Sequence, residues 1–400
     1  DISSNINNSL PDNGNFLSTF SNNNHIIKPS ITDDGSIIVY VGSDRNLWEL
    51  YLDWSTGTPV VTNELILDSS LDWRNIVTSK DGSKVAAVYG DLNQGIFDNE
   101  IFVFDFNTGL GQWFVLKNPT FTNGVSTGDV QYADALEWDP SGQYVLYDAF
   151  NRIENSFGED IAYWDIGIIK VWDNNSNSFE DGLDPTITKL FSSLPDNVSV
   201  GNPTFAKNSP YIIAFDYIAS GFFGTEYSIN GVNIETGDQG IIFENNTLGY
   251  PNYSINDDRV LFSVINNGQE ILGYRDLNSD KISGSGSAFA LVDNARWGVY
   301  YATGDRDLTS TEELSAKPSN WTIVPNPVND QLQLDFTAQQ AGDLQVAVVD
   351  LLGRTLHRKQ FNLQSGLNQM TLNLADLPSG TYWLRLDDGR QQDSQLFVRL

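Results

Sequence analysis

One pattern recurs along most of the chain: a short turn built on Asp-Gly, followed at once by an apolar stretch with strand character. Pro29-Ser-Ile-Thr-Asp-Asp-Gly35 leads into Ser-Ile-Ile-Val-Tyr40, Thr78-Ser-Lys-Asp-Gly82 into Ser-Lys-Val-Ala-Ala-Val-Tyr89, and Trp138-Asp-Pro-Ser-Gly142 into Gln-Tyr-Val-Leu-Tyr147. Looser copies follow at Pro203 to Phe215 and Pro251 to Phe262, and the weakest runs from Asp293 to Tyr301. Each of the first five copies has a second turn downstream, at Asp53 to Gly57, Asp105 to Gly109, Asp173 to Asn177, Asn233 to Gly237 and Asp276 to Asp280. Asp or Asn opens such a turn by bonding its own backbone, and Gly supplies the positive φ that closes it. The unit is therefore strand, Asp-Gly turn, strand, loop, strand, second turn, strand.

A four-stranded antiparallel unit cannot bury both of its faces alone, and repeating it radially gives a β-propeller. The repeats resemble those of TolB-type propellers, whose signature is an apolar or aromatic residue, Ser-Pro-Asp-Gly, an apolar strand, and a later strand ending in Asp and a Thr-Gly turn. The resemblance covers about residues 25 to 305. It implies an all-β fold of about six four-stranded blades, with residues 1 to 24 adding the closing strand, and leaves open five or seven blades or a chain that lacks earlier ones. The copies depart from the pattern in places, since the third lacks Asp before Gly142 and the fourth and fifth lose the Gly.

The chain changes character near its end. From Trp321 to Leu400 six basic residues face eight acidic ones, a net of −2, which leaves −28 of the chain's −30 to residues 1 to 320. Residues 303 to 320 lack strand alternation and read as a linker, so the expected division is 1–305, a linker at 306–320, and 321–400. In the last segment period-two alternation returns at Leu332, Leu334 and Phe336, and at Tyr382, Leu384 and Leu386, the pattern of a small immunoglobulin-like β-sandwich. Three landmarks sit in it: Pro325-Asn326-Pro327 with Asp330, the Gly353 turn of Asp350-Leu-Leu-Gly-Arg354, and Gly380 with Tyr382 in Leu377-Pro-Ser-Gly-Thr-Tyr382. At this spacing they resemble the type A sorting domain of the type IX secretion system. That resemblance implies export across a Gram-negative outer membrane, with the secretion machinery as partner and a secreted or cell-surface destination.

Charge and composition exclude several classes. A net charge of −30 repels phosphate backbones and anionic lipid, so nucleic acid is not an expected partner. The absence of cysteine removes disulfides and Cys-ligated metal sites, and no apolar run is long enough for a membrane-spanning helix. A single methionine, Met370, and an initial Asp1 suggest a processed or truncated product.

In the expected propeller the Asp-Gly and second turns share one face, and the long insertions fall on the other. These insertions bring carboxylates (Asp98, Glu100, Glu154, Glu159, Asp160, Glu226) together with aromatic residues (Phe157, Tyr163, Trp164, Phe222, Phe223, Tyr227). Aromatic platforms with carboxylates suit sugars or cationic peptides, although such aromatics also serve simply to pack loops onto blades. The leading expectation is a binding or structural module for a glycan, peptide or protein, in a surface assembly or alone. The alternative is a secreted hydrolase using paired carboxylates on the insertion face, as glycosidases do. No cofactor is expected: Asp276, Asn278 and Asp280 resemble the first half of a calcium loop, but Lys281 stands in place of the glycine an EF-hand needs, and alignment with the other repeat turns accounts for them without metal. Gly124-Val-Ser-Thr-Gly128 matches a nucleophile elbow in letters but lies in a polar connection, far from the strand-to-helix setting such a serine requires.

Overall fold

The structure is a computed structural model that describes residues 27–56, 59–90, 99–117, 126–154, 160–191, 194, 197–222, 224–301, 321–324, 328, 330–338, 340–349, 355–378, 380–387 and 392–399, together with a short strand at 6–7. Among these residues every regular element is a strand. Five sheets of four antiparallel strands succeed one another between Ser30 and Asp293, each a simple up-and-down meander in chain order except the third, whose outermost strand follows a small extra hairpin. The repeat turns are as read: Gly35, Gly82, Gly109, Gly142 and Gly237 all take φ near +70°. Asp34 and Asp81 each accept the backbone N–H of the serine two residues on, at 2.9 and 3.0 Å.

Each sheet packs on the next through one apolar cluster. Val39, Val41 and Leu47 of the first meet Ile76, Val85 and Ala87 of the second. Val77, Ala86 and Phe114 meet Trp138, Val145 and Tyr147 of the third. Leu146, Ile166 and Ile168 meet Phe205, Ile213 and Phe215 of the fourth, and Ala214, Ile229 and Ile242 meet Tyr253, Val260 and Phe262 of the fifth. The innermost strand Trp73–Thr78 is buried at all six positions, because it is covered on both faces.

Among the described residues the repeats form five such sheets, where about six were expected. Asn294 (φ 51°) and Trp297 (φ 59°) adopt left-handed backbone, which interrupts an extended strand, so the sixth repeat yields none beyond Asp293. Its residues bridge the fifth sheet to the first instead. The Trp297 N–H donates to Ser263 Oγ at 3.2 Å, the Tyr300 N–H to Asn252 Oδ1 at 2.7 Å, and Tyr301 lies against Trp54 with ring centroids 5.1 Å apart. Lys28 Nζ adds a 3.4 Å bond to the carbonyl of Pro251. The N-terminal segment does supply a strand: Ile6–Asn7 pairs parallel with Gly284–Asp293 as a fifth member of the last sheet.

Residues from Trp321 onward form a three-stranded and a four-stranded sheet that share one core. Leu332, Leu334 and Phe336 of the smaller sheet and Leu344, Val346, Val348, Leu384 and Leu386 of the larger lie in it, as the alternation required.

The packing between sheets sets what truncation costs. Replacing the fully buried Phe262 with Ala is expected to lower unfolding free energy by about 3–5 kcal/mol in urea titrations. Leu110→Ala, at a side chain 60% exposed, is expected to stay within about 0.5 kcal/mol of the parent.

Candidate functional site

Two regions of the five sheets carry chemistry: the line along which their first strands meet, and the end that holds the long second-to-third-strand hairpins. Along the first strands, repeat-equivalent positions come together. Lys28, Asn75, Ala135, Asn202 and Tyr250 form one tier around a cavity, and Ser30, Val77, Glu137 and Asn252 the next, with Lys80 and Lys207 beyond. The cavity measures about 30 Å³. A single water needs roughly 10–15 Å³ by this measure, so the space holds one or two waters and excludes a sugar ring.

Glu137 is the centre of this polar core. It is buried, with Lys80 Nζ at 3.0 Å from Oε1 and Thr204 Oγ1 donating to Oε2 at 2.7 Å. Burial pushes its carboxyl up, but the charges of Lys80, Lys207 and Lys28 outweigh it and hold the group at about 2. For Lys28 burial wins, lowering its pKa against the pull of Glu137.

Asp148 and Asp216 occupy the same repeat position on the second strands of the third and fourth sheets. Each reaches the first strand of the following sheet. Asp148 accepts the N–H of Asn202 at 2.8 Å and, within its own sheet, that of Ala135 at 2.7 Å. Asp216 accepts the N–H of Gly249 at 2.8 Å and of Tyr250 at 3.0 Å, with Asn202 Nδ2 at 2.8 Å. Ser263, their counterpart in the fifth sheet, takes the Trp297 N–H described above. Burial raises Asp216 to about 6 despite these bonds. Burial, reinforced by the nearby charge of Asp134, raises Asp148 well above the usual carboxylate range. Asp134 in turn pairs with Arg74 at 2.9 Å, whose guanidinium lies over the Tyr132 ring at 4.4 Å.

At the hairpin end, strands Tyr144–Glu154 and Asp160–Lys170 of the third sheet and Ile212–Gly221 and Gly224–Asn233 of the fourth are 10 or 11 residues long, against 5 and 7 for the middle strands of the first sheet. Glu154 and Asp160 are direct cross-strand partners, both exposed. Tyr163 is half-buried. Trp164 packs: its ring lies 5.5 Å from Tyr132 and 5.4 Å from Phe150, and its backbone N–H donates to Ser199 Oγ of the fourth sheet. Phe222, at the tip of the fourth-sheet hairpin, is 98% exposed. Glu226 is exposed and Tyr227 half-buried on the returning strand. Glu100 starts a strand of the second sheet and is half-buried. Asp98, Phe157, Glu159 and Phe223 lie outside the described residues. The third-sheet candidates thus share one hairpin and the fourth-sheet candidates the next, while Glu100 lies on a separate sheet.

The calcium candidates serve their turn. Asp276 pairs with Arg259 at 3.1 Å, Asp280 accepts the N–H groups of Ile282 and Ser283 at 3.1 Å, and Asn278 donates to Ser283 Oγ at 2.9 Å. Among the described residues no three His, Asp or Glu side chains converge on a metal position. Ser126 of the elbow-like motif begins a strand.

In the C-terminal segment Asp330 receives Arg399 at 3.1 Å, tying the start of the domain to its last strand. Tyr382 donates to the Pro378 carbonyl at 2.7 Å and packs on Phe397. Gly380 opens the strand Gly380–Asp387, while Pro325, Asn326, Pro327 and Gly353 lie outside the described residues.

Residues 322–399 match the family model of the secretion system C-terminal sorting domain, so the chain carries such a domain. A search of the curated proteins finds no match. Among solved structures the chain is similar to TolB from Acinetobacter baumannii at 17% identity and a TM-score of 0.41, covering 66% of this chain and 55% of that one. A protein assigned as TolB from Agrobacterium tumefaciens gives 16% and 0.42, over 67% of this chain and 81% of the other. The hydrazine synthase of Kuenenia stuttgartiensis gives 11% and 0.36, over 61% and 63%. The chain spans little more than half the length of the Acinetobacter protein.

Sequence reading missed Glu137, Lys80, Lys207, Asp148 and Asp216. The signal was there in the repeat alignment: Lys80 and Lys207 share one position, and Asp148 and Asp216 both follow the aromatic end of an apolar run.

The raised carboxyls make stability pH-dependent with a defined sign. Folded Asp148 and Asp216 hold protons more tightly than in the unfolded chain, so stability falls as pH rises from about 4 through about 7 and levels off beyond. Asp216→Asn is expected to flatten that fall in thermal melts taken from pH 5 to pH 8. An unchanged slope would show that this carboxyl is not the group titrating.

Proposed function

We propose that this is a secreted or cell-surface binding module whose five sheets close into a TolB-like five-bladed propeller, followed by an immunoglobulin-like sandwich that directs export through the type IX system. The division proposed is 1–305, 306–320 and 321–400. Closure is supported by the contacts from Trp297, Tyr300, Tyr301 and Lys28, which return the fifth sheet to the first. It is supported also by a cavity lined by equivalent positions of all five first strands.

The observation that carries the binding reading is the filled axis. Enzymes and ligand-binding propellers that work through a central pocket need room there, and about 30 Å³ bounded by Glu137 and its lysines gives none to a sugar or a peptide. Recognition is therefore assigned to the hairpin end, where Phe222 is 98% exposed at the fourth-sheet tip and Glu226 lies on the returning strand, with Glu154 and Asp160 on the third sheet. An exposed aromatic tip with neighbouring carboxylates suits a glycan or a cationic peptide or protein surface outside the outer membrane.

Binding to arrayed glycans and to basic peptides tests this. Phe222→Ala and Glu226→Ala are expected to weaken capture at least tenfold without moving the thermal midpoint, while Leu110→Ala at the opposite end leaves it unchanged. Hydrolysis of an arrayed ligand that disappears in Glu154→Gln would overturn the binding reading in favour of the hydrolase. For export, deleting residues 321–400 is expected to leave the protein inside the outer membrane, as read by fractionation of cells and medium.

A further inference from the structure

Two side chains of the sorting domain are buried where its own core cannot bury them. In the strand Gly342–Val349, Leu344, Val346 and Val348 point into the domain's core. Period two sends Asp343, Gln345, Ala347 and Val349 to the opposite face. Asp343 and Gln345 are exposed there, yet Ala347 is 8% and Val349 0% exposed. Both belong to the apolar cluster between the third and fourth sheets, with Leu190, Phe191 and Val232. Arg385, paired directly with Ala347 on the neighbouring strand and on the same face, makes an ion pair with Asp238 of the fourth sheet. The Asp238 carboxylate is already oriented, because Thr236 Oγ1 donates to its other oxygen at 2.8 Å.

We propose that this surface is a clasp by which the sorting domain stays bound to the propeller after the chain between them is cut. Its partner is the chain's own C-terminal domain, and its parts are complementary: an apolar strip at Ala347 and Val349 filling the end of an inter-sheet core, and a cation at Arg385 meeting a preset anion. Free of the propeller, the sorting domain would expose Val349, and the third and fourth sheets would open one end of their shared core to water. Both losses favour the bound state. The Arg385–Asp238 pair is partly exposed and adds direction more than strength.

The test uses the full chain with a site-specific protease sequence inserted after Leu314. After complete cleavage the two pieces are expected to elute together from a sizing column in equal amounts; pieces that separate overturn the proposal. Val349→Asp is expected to weaken retention more than tenfold. Asp238→Arg weakens it up to about fivefold, the range for an exposed pair, and the double variant Asp238→Arg with Arg385→Asp restores it. Because the charge swap touches no core residue, it remains decisive if Val349→Asp fails to fold. Retention unchanged in both Val349→Asp and Asp238→Arg would likewise show that this surface does not hold the domain.

Discussion

The fold depends on reconciling charge with burial along the line where the first strands meet. Those strands are covered on both faces, so any polar side chain they carry inward must find its partner inside the protein. Glu137 meets Lys80 directly and feels the charges of Lys207 and Lys28, with Thr204 completing its bonds. Removing one member of such a set leaves a buried charge unmatched, which costs about 3–5 kcal/mol, more than the set contributes over an apolar filling. The arrangement therefore specifies which strands meet, and in what register, more than it adds raw stability. Asp148 and Asp216 extend the same logic outward, each spending a carboxylate on backbone N–H groups of the following sheet.

The two ends of the sheets are under different constraints. At one end Asx-type turns and left-handed glycines recur with little change in length, because the chain must reverse within four residues. At the other, strands of the third and fourth sheets run on past the packed region and are free to vary. On a rigid scaffold with one uniform and one elongated end, the elongated end is where the proposed recognition would sit.

The repeat was legible because its turns need particular residues: only Gly takes φ near +70° without cost, and Gly35, Gly82 and Gly142 stood where the pattern placed them. The alternation from Leu332 to Leu386 was legible for a similar reason, since a half-buried strand admits little else. The sheet count was not. Val299-Tyr-Tyr301 has strand composition, and nothing local announces that Trp297 takes a positive φ and that Tyr301 turns to pack on Trp54. The buried polar cluster escaped as well, because three lysines and a glutamate scattered from residue 28 to residue 207 look like ordinary surface charge until the strands bring them together. Trp164 shows what spacing does not reveal: an aromatic in an insertion suggested a platform, and its half-buried ring also packs on Tyr132 and Phe150.

The strand Gly224–Asn233 begins beside the exposed tip at Phe222 and ends beside the turn that presents Asp238 to Arg385. Ten residues of extended chain separate the two by about 30 Å. A pull between something gripped at the tip and something holding the sorting domain would run along the strand axis, at right angles to the ladder bonds on both of its sides. Force in that direction strains the bonds together in shear, whereas a pull across the sheet would open them one at a time. The geometry makes this strand a tether suited to tension.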